Sequence, residues 1–263
     1  MSVRRLAVAR HLGWLLGISV VSSATAQTTP AEVRAQRILD SARTSIELAT
    51  AAGDVNAIHG IQVLLERALA VAPSDPWLLH YLGYATYREA TLRMEGSRND
   101  NATLLQRADS IIQLSLSFKD ISESYALHSS LLGLMIGSSP LRAMTNGPKS
   151  GAAMQRALEL APNNPRVWLQ RGIGALNTPP MFGGGVDKAE EYLKKAVELF
   201  ANDHPQAPEP MWGSAEAFAW LGRVYANQGK SDSARASYDR ALTIEPNNRW
   251  VRDVLLRALN HRS

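Results

Sequence analysis

Histidine and acidic residues are the first candidates for chemistry in this chain of 263 residues. None of the six histidines pairs with another at helical spacing, HExxH is absent, and no His lies with Asp or Glu at metal-ligand spacing. The adjacent pair Asp203-His204 lies in a proline-rich segment and indicates a polar helix end rather than a catalytic dyad. A GxSxG elbow is also absent, and a chain without cysteine can have no thiol catalysis, Zn–Cys site or disulfide. We therefore expect no enzymatic activity, no metal and no cofactor.

A run of three glycines, Gly183–Gly185, is the second candidate, because backbone N–H groups at a helix start can bind phosphate. The spacing matches neither GxxxxGK[ST] nor GxGxxG after a strand. Asp187 follows at the start of the next helix, where it would repel an anion. We expect a structural turn that lets Met181 and Phe182 fold back over the helices, with anion binding as the alternative.

The charge of the chain argues against a nucleic-acid partner. The formal net charge is +4, but three of the basic residues lie within the first 26 residues, so the remainder carries 25 basic and 24 acidic residues. Such a balance is far too weak for the basic surface that phosphate neutralisation needs.

The first 26 residues are typical of a secretory signal peptide. Arg4, Arg5 and Arg10 precede an apolar stretch over residues 12–22, and Ala24-Thr25-Ala26 is an A-x-A cleavage site. The alternative is a membrane anchor, but the stretch is roughly 11–13 residues long, whereas a bilayer needs about 20. We expect cleavage near Ala26, a mature chain without a stable membrane span, and a periplasmic or secreted location.

One phrase recurs along the chain and indicates helical repeats. It reads ERALAVAP at 66–73, QRALELAP at 155–162 and DRALTIEP at 239–246, with a degenerate copy, KAVELFA, at 195–201. Each copy has apolar residues at three- and four-residue spacing, and in the three full copies a proline then ends the predicted helix.

The clearest unit covers residues 215–248 and resembles the tetratricopeptide repeat (TPR) family. Large or small residues of the expected kind occupy positions 4, 7, 8, 11, 20, 24, 27 and 32 of this 34-residue unit: Phe218, Leu221, Gly222, Tyr225, Ala234, Tyr238, Ala241 and Pro246. Small residues at 8, 20 and 27 let two antiparallel helices approach, and large ones fill the remaining space.

The same spacing, applied upstream, gives four weaker units, at 42–75, 76–122, 126–164 and 165–203. An amphipathic segment at 249–260 suits the capping helix that an open end of a repeat array needs. The resemblance implies an all-α, right-handed TPR-like solenoid of about five helix-turn-helix pairs with this C-terminal capping helix.

Three units exceed the 34-residue spacing through extra residues between their two helices, about 13 in the unit 76–122 and about five in each of the units 126–164 and 165–203. The two equal insertions are at the same place in consecutive units. We expect long turns at 138–149, with Pro148 at the first position of the following helix, and at 178–185. Since consecutive pairs stack in parallel, the turns should lie side by side on one edge, where repeat proteins often bind partners. The residues expected in these edge loops are Met144, Asn146, Lys149, Met181 and Phe182.

The TPR resemblance also implies a concave groove lined by the first helix of each pair. Positions 2, 5, 9, 12 and 13 give a groove that is apolar and aromatic in its middle and poor in charge: Trp77, His80, Tyr84, Tyr87, Arg88, Leu134, Leu169, Ile173, Asn177, Arg223 and Asn227. We expect Tyr84 to face a ligand and Leu82 to face the core. A ligand, a partner helix or the chain's own helix around Val33–Leu48 could cover this apolar surface.

These features favour an exported, non-enzymatic adaptor that binds a protein or peptide segment in the groove. The alternative is an accessory subunit that binds a small apolar molecule or lipid, similar to the TPR proteins associated with certain transporters. An open groove would favour the adaptor, and a closed pocket of several hundred cubic ångströms would favour the accessory subunit.

Overall fold

The computed structural model describes residues 29–96, 101–137 and 139–261. The expected signal peptide lies outside these residues. Ten helices lead to the carboxyl terminus: α1 (Pro30–Ala52), α2 (Val55–Leu69), α3 (Pro76–Gly96), α4 (Ala102–Phe118), α5 (Ser122–Ile136), α6 (Pro140–Leu160), α7 (Pro165–Asn177), α8 (Val186–Phe200), α9 (Ser214–Asn227) and α10 (Ser231–Ile244). A π-helical segment, Trp250–Leu255, then continues into α11 (Leu256–Asn260).

Successive helices pack in pairs, α1 on α2 through α9 on α10, and neighbouring pairs stack on each other. The described ranges contain no strand. The segment after α10 packs Val251, Leu255 and Leu259 against the last pair. The structure thus confirms the predicted all-α solenoid of about five helix pairs with a C-terminal capping helix.

Local sequence sets where the helices begin. Thr29 and Glu32 form a capping box at the start of α1. Asp54, Ser139 and Asn164 accept hydrogen bonds from free backbone N–H groups at the starts of α2, α6 and α7. Prolines occupy the first positions of α1, α6 and α7, where a missing N–H costs nothing.

Glycine allows the two helices of a pair to approach closely at three crossings. A Cβ atom placed on Gly83 would lie 2.6 Å from Ile112, on Gly172 2.6 Å from Leu193, and on Gly222 2.4 Å from Tyr238. These are the predicted position-8 glycines of the second, fourth and fifth pairs.

The third pair departs from its predicted register. Helix α5 begins at Ser122, four residues before the predicted start, and a Cβ on Gly133 would meet nothing within 4 Å. The close contact lies one turn earlier, where Ser129 faces Ser150 of α6 at 3.0 Å. The repeat pattern places the crossing at Leu132-Gly133 because glycine is the usual residue there, but a buried serine fills this place.

The first pair also extends beyond its predicted range, since α1 begins at Pro30 rather than near residue 42. The additional residues bury Ala35 and Leu39 against the solenoid. Helix α1 is therefore the first helix of the first pair, packed on α2 and α3. Within the described ranges, no helix combines the length and apolar character needed to cross a bilayer.

Candidate functional site

The centre of the concave face is the predicted groove, and the structure shows that it is filled rather than open. Helix α3 is buried on every side from Leu78 to Ala90. His80, Tyr84, Tyr87 and Arg88 are each at most 5% exposed, and Leu169 is fully buried. The expectation that these five residues form a free ligand surface is therefore wrong.

The other predicted groove residues lie nearer the surface. Trp77, Leu134, Ile173 and Arg223 are half-buried, and Asn177 and Asn227 are exposed. Leu82 is 5% exposed and Tyr84 only 1%, so the predicted contrast between a core-facing Leu82 and a ligand-facing Tyr84 is also wrong. Both side chains are core.

The covering segment is the chain's own connector between α8 and α9, residues 201–213. Its Trp212 stacks on Tyr84, with ring centroids 4.9 Å apart and an interplanar angle of 14°. Tyr81 Oη donates to the carbonyl of Pro208 at 2.8 Å, and Arg43 Nε donates to the carbonyl of Glu209 at 2.9 Å. A proline-rich segment with a turn at 206–209 and one aromatic anchor thus occupies the middle of the concave face.

A charged network lies beside this anchor and joins three pairs of the solenoid. Arg88 of α3 forms a two-pronged ion pair with Glu216 of α9, one arm of which measures 3.0 Å. Its Nε donates to Tyr84 Oη at 2.9 Å, and Tyr84 Oη donates to Glu47 Oε1 at 2.6 Å. The guanidinium also lies over the Trp212 ring, 5.9 Å from its centroid.

Burial sets the protonation of this network. Desolvation raises the pKa of Glu47 to about 7, although Arg88 and the Tyr84 hydrogen bond oppose that rise. Burial also raises the pKa of Glu245, a third carboxyl group near Arg88. The network is therefore arranged to hold a proton on a carboxyl group near neutral pH.

His80 is buried neutral on the other side of Tyr84, with which it stacks. Its Nδ1 lies 2.9 Å from Ser124 Oγ. Desolvation lowers the pKa of His80 to about 4, against the attraction of Glu123 and with the help of Arg166. In this structure His80 contributes ring stacking on Tyr84 and a hydrogen bond with Ser124. Among the residues that the structure describes, no group of three or more His, Asp or Glu side chains is placed to hold a metal ion.

The predicted edge loop of the third pair is helical. Met144, Asn146 and Lys149 lie inside α6, and Pro148 is within this helix rather than at its start. Asn146-Gly147-Pro148 are turn residues by type. The helix nevertheless starts at Pro140, capped by Ser139, and continues through them because α6 packs along α5.

The turn of the fourth pair is structural, as predicted, but its apolar residues do not fold back. Met181 and Phe182 lie in a single 3₁₀ turn and are 82% and 71% exposed. The three glycine N–H groups donate to backbone carbonyls of Pro180, Pro179 and Ala175, at 2.9, 3.3 and 2.8 Å. They are thus engaged within the turn, which argues against the anion-binding alternative.

Sequence reasoning missed the connector that fills the groove, because Trp212 belongs to no TPR unit. Arg43 and Glu47, which contact the connector and α3, lie in the helix around Val33–Leu48 that was one of the predicted covers, and Arg43 is at position 2 of the unit 42–75. One signal was available, because a tryptophan at the end of a segment with three prolines seldom lies free in solvent. Asp203 accepts from both Nη atoms of Arg166, which agrees with the predicted structural role of Asp203-His204.

Comparison with known proteins supports TPR architecture. Residues 215–248 match the model of the tetratricopeptide repeat. A thermophilic TPR protein from Thermus thermophilus is 21% identical, with a TM-score of 0.62, over 86% of this chain and 98% of its own. No curated protein gave a significant sequence match.

Two further solved structures are similar in fold. The HusA haemophore from Porphyromonas gingivalis is 26% identical, with a TM-score of 0.54, over 76% of this chain and 96% of its own. The Cut9–Hcn1 hetero-tetramer of the APC/C is 14% identical, with a TM-score of 0.53, over 90% of this chain and 40% of the matched chain.

Proposed function

We propose that this protein is a non-enzymatic, exported scaffold whose concave face binds a proline-containing segment of a partner protein. In this proposal the connector occupies the partner's place until a partner displaces it. TPR architecture is commonly used for protein binding, which supports the scaffold role.

One observation carries the proposal: the concave face already binds a proline-rich segment of its own chain, which turns at 206–209. The contacts are those of peptide recognition, with two side chains donating to peptide carbonyls and one aromatic anchor in a stacked slot. A proline-containing segment with a turn followed by an aromatic residue is therefore the ligand that this surface fits.

The connector satisfies the site incompletely. The indole Nε1 of Trp212, the Nε2 of His80 and the Nε2 of Gln170 are buried without a hydrogen-bond partner among the described residues. Each buried, unpaired polar group costs about 1–3 kcal/mol. A partner segment that supplies an acceptor to Gln170 Nε2 and a hydrogen-bonding group to His80 Nε2 would recover part of this cost and compete with the connector.

A peptide with the sequence of residues 203–214 tests the proposal. The labelled peptide should bind the mature Trp212→Ala variant, whose own anchor is missing, at least about tenfold more tightly than the wild type, which must first release its connector. The same peptide with alanine for tryptophan is the control and should not bind. Failure of the peptide to bind a Trp212→Ala variant with a wild-type circular dichroism spectrum would contradict the proposal.

Should Trp212→Ala not fold, the variant Trp212→Phe replaces it. This change weakens the anchor of the connector and leaves Arg43 and Tyr81, which the peptide also needs, in place. It should also bind the peptide more tightly than the wild type does.

A second candidate function is the binding of a small apolar ligand. It is favoured by the similarity to a haemophore at 26% identity over 76% of this chain, and by the aromatic cluster of His80, Tyr84, Tyr87 and Trp212. Haemin titrated into the mature chain distinguishes the candidates. A change in the Soret band that saturates at one equivalent of haemin would support ligand binding. A change that keeps growing as haemin is added would count against it.

A further inference from the structure

Four large apolar side chains stand in solvent at the turns of the third and fourth pairs. Leu141 and Met144 of α6 are 72% and 76% exposed, and Met181 and Phe182 are 82% and 71% exposed. Burying such side chains is favourable, and surface apolar residues that are grouped rather than scattered usually mark an interaction site.

The topology brings these four residues to one edge of the solenoid. The first helices α5 and α7 pack on each other. The chain leaves α5 after Ile136 and α7 after Asn177, and it returns through the segments that carry the four side chains. Leu141 and Met144 are three residues apart on α6 and therefore share a face. We name Leu141, Met144, Met181 and Phe182 the apolar edge.

The charge of these two pairs differs from that of the rest of the chain. Residues 124–186 contain five Lys and Arg but one acidic residue, Glu159, whereas the remainder after residue 26 contains 20 basic and 23 acidic residues. Within the described part of the chain, Arg142, Lys149 and Arg171 form no ion pair with a carboxylate. Cations without a counter-charge thus accompany the apolar edge.

We propose that the apolar edge binds the surface of a membrane that contains anionic phospholipids. Exposed Leu, Met and Phe side chains at projecting turns can enter the boundary between headgroups and acyl chains, while Arg142 and Lys149 on the same helix segment contact phosphate. An acidic protein surface would complement the cations but would offer the four side chains no apolar environment.

Co-sedimentation with lipid vesicles tests this proposal on the whole mature chain. Vesicles of equal parts phosphatidylglycerol and phosphatidylcholine should bind it, and vesicles of phosphatidylcholine alone should bind it at least about tenfold more weakly. Met181→Ser/Phe182→Ser should weaken binding by a similar factor. The matched control is Leu48→Ser, because Leu48 is equally exposed, at 73%, but lies on α1.

The charge contribution has its own pair of variants. Arg142→Glu/Lys149→Glu should weaken binding to the mixed vesicles and leave the weak binding to neutral vesicles unchanged. Arg257→Glu, at a site 72% exposed on the capping helix, should change neither.

Three results would overturn the proposal. The first is that the mature chain binds neither kind of vesicle. The second is that the Leu48 control loses as much binding as the apolar-edge variant does. The third is self-association: a wild-type dimer in size-exclusion chromatography that Met181→Ser/Phe182→Ser converts to monomer would assign the edge to a second copy of this chain.

Discussion

At the scale of single residues, Tyr84 takes part in both the packing and the charged network of the concave face. Its ring is covered by Trp212 and its hydroxyl lies between Arg88 and Glu47. Tyr84→Ala should therefore reduce the free energy of unfolding by about 3–5 kcal/mol, as other large-to-small core changes do. Tyr84→Phe, which keeps the ring, should cost about 1–2 kcal/mol. Urea denaturation measures both, and near-native stability of Tyr84→Ala would show that the connector leaves the slot empty in solution.

Gly222 should tolerate no side chain, because Tyr238 occupies the space that a Cβ would take. Gly222→Leu should destabilise the protein by roughly 2–4 kcal/mol. Gly133→Ala is the control: it meets no neighbour, and it should be neutral or gain up to about 1 kcal/mol from helix propensity. Equal melting temperatures for the two variants would mean that the last pair is packed differently.

These two residues show what the sequence can and cannot predict at this scale. The crossing at Gly222 follows from a pattern within one pair, since local spacing determines which residues of two adjacent helices meet. The burial of Tyr84 depends on Trp212, which is 128 residues away and belongs to no repeat. Exposure of the groove could not be predicted because the segment that covers it lies outside the repeat pattern.

Helix α6 shows the same limit at the scale of elements. Asn, Gly and Pro in succession predict a turn from local preference, but the helix runs through them. Packing on α5 outweighs the unfavourable propensity, and the first turn from Pro140 to Thr145 stays exposed. The location of the insertion was predicted correctly, whereas its secondary structure was not.

The proline inside α6 should be a source of instability. Pro148 cannot donate to the carbonyl of Met144 and restricts the helix in its ninth position. Pro148→Ala should therefore stabilise the protein by about 1–2 kcal/mol, after allowance for the more flexible unfolded chain. Pro140→Ala, at the first helical position, should give no such gain. A loss of stability in Pro148→Ala would indicate that α6 must bend there to pack on α5.

At the scale of the whole molecule, the five pairs curve until the first meets the last. Arg249, at the start of the capping segment, donates to the carbonyl of Ala52 at 3.4 Å, and a Cβ on Gly53 would touch its side chain. Arg43 of the first pair also donates a hydrogen bond to the connector, and Arg88 of the second pair forms an ion pair with Glu216 of α9. The superhelical curvature is a sum of small rotations between pairs, so the repeat pattern predicts the number of pairs but not the closure of the ends.

Glu47 and His80 both lie inside this closed arrangement, and their pKa values are shifted in opposite directions. Their effects on stability should therefore oppose each other. The pKa of Glu47 is about 7 when folded, above its ordinary value of 4.5, so its contribution is complete below pH 4.5 and is lost as pH rises through 7. The pKa of His80 is about 4, below its ordinary value of 6.5, so its contribution is complete above pH 6.5 and is lost as pH falls through 4. Each amounts to at most about 3 kcal/mol.

Between pH 4.5 and 6.5 the two opposite changes in stability should nearly cancel, and from pH 6.5 to about 7 the stability of the wild type should decline as the desolvated Glu47 carboxyl group ionises. Glu47→Gln should remove that decline and reveal the contribution of His80, so that stability rises from pH 4.5 to 6.5. His80→Phe should show the reverse, a stability that falls steadily from pH 4.5 to about 7. Urea denaturation of the three proteins at about pH 5, 6, 7 and 8 separates these profiles. If Glu47→Gln keeps the pH profile of the wild type, the Glu47 carboxyl group is solvated and the first and last pairs do not close over it.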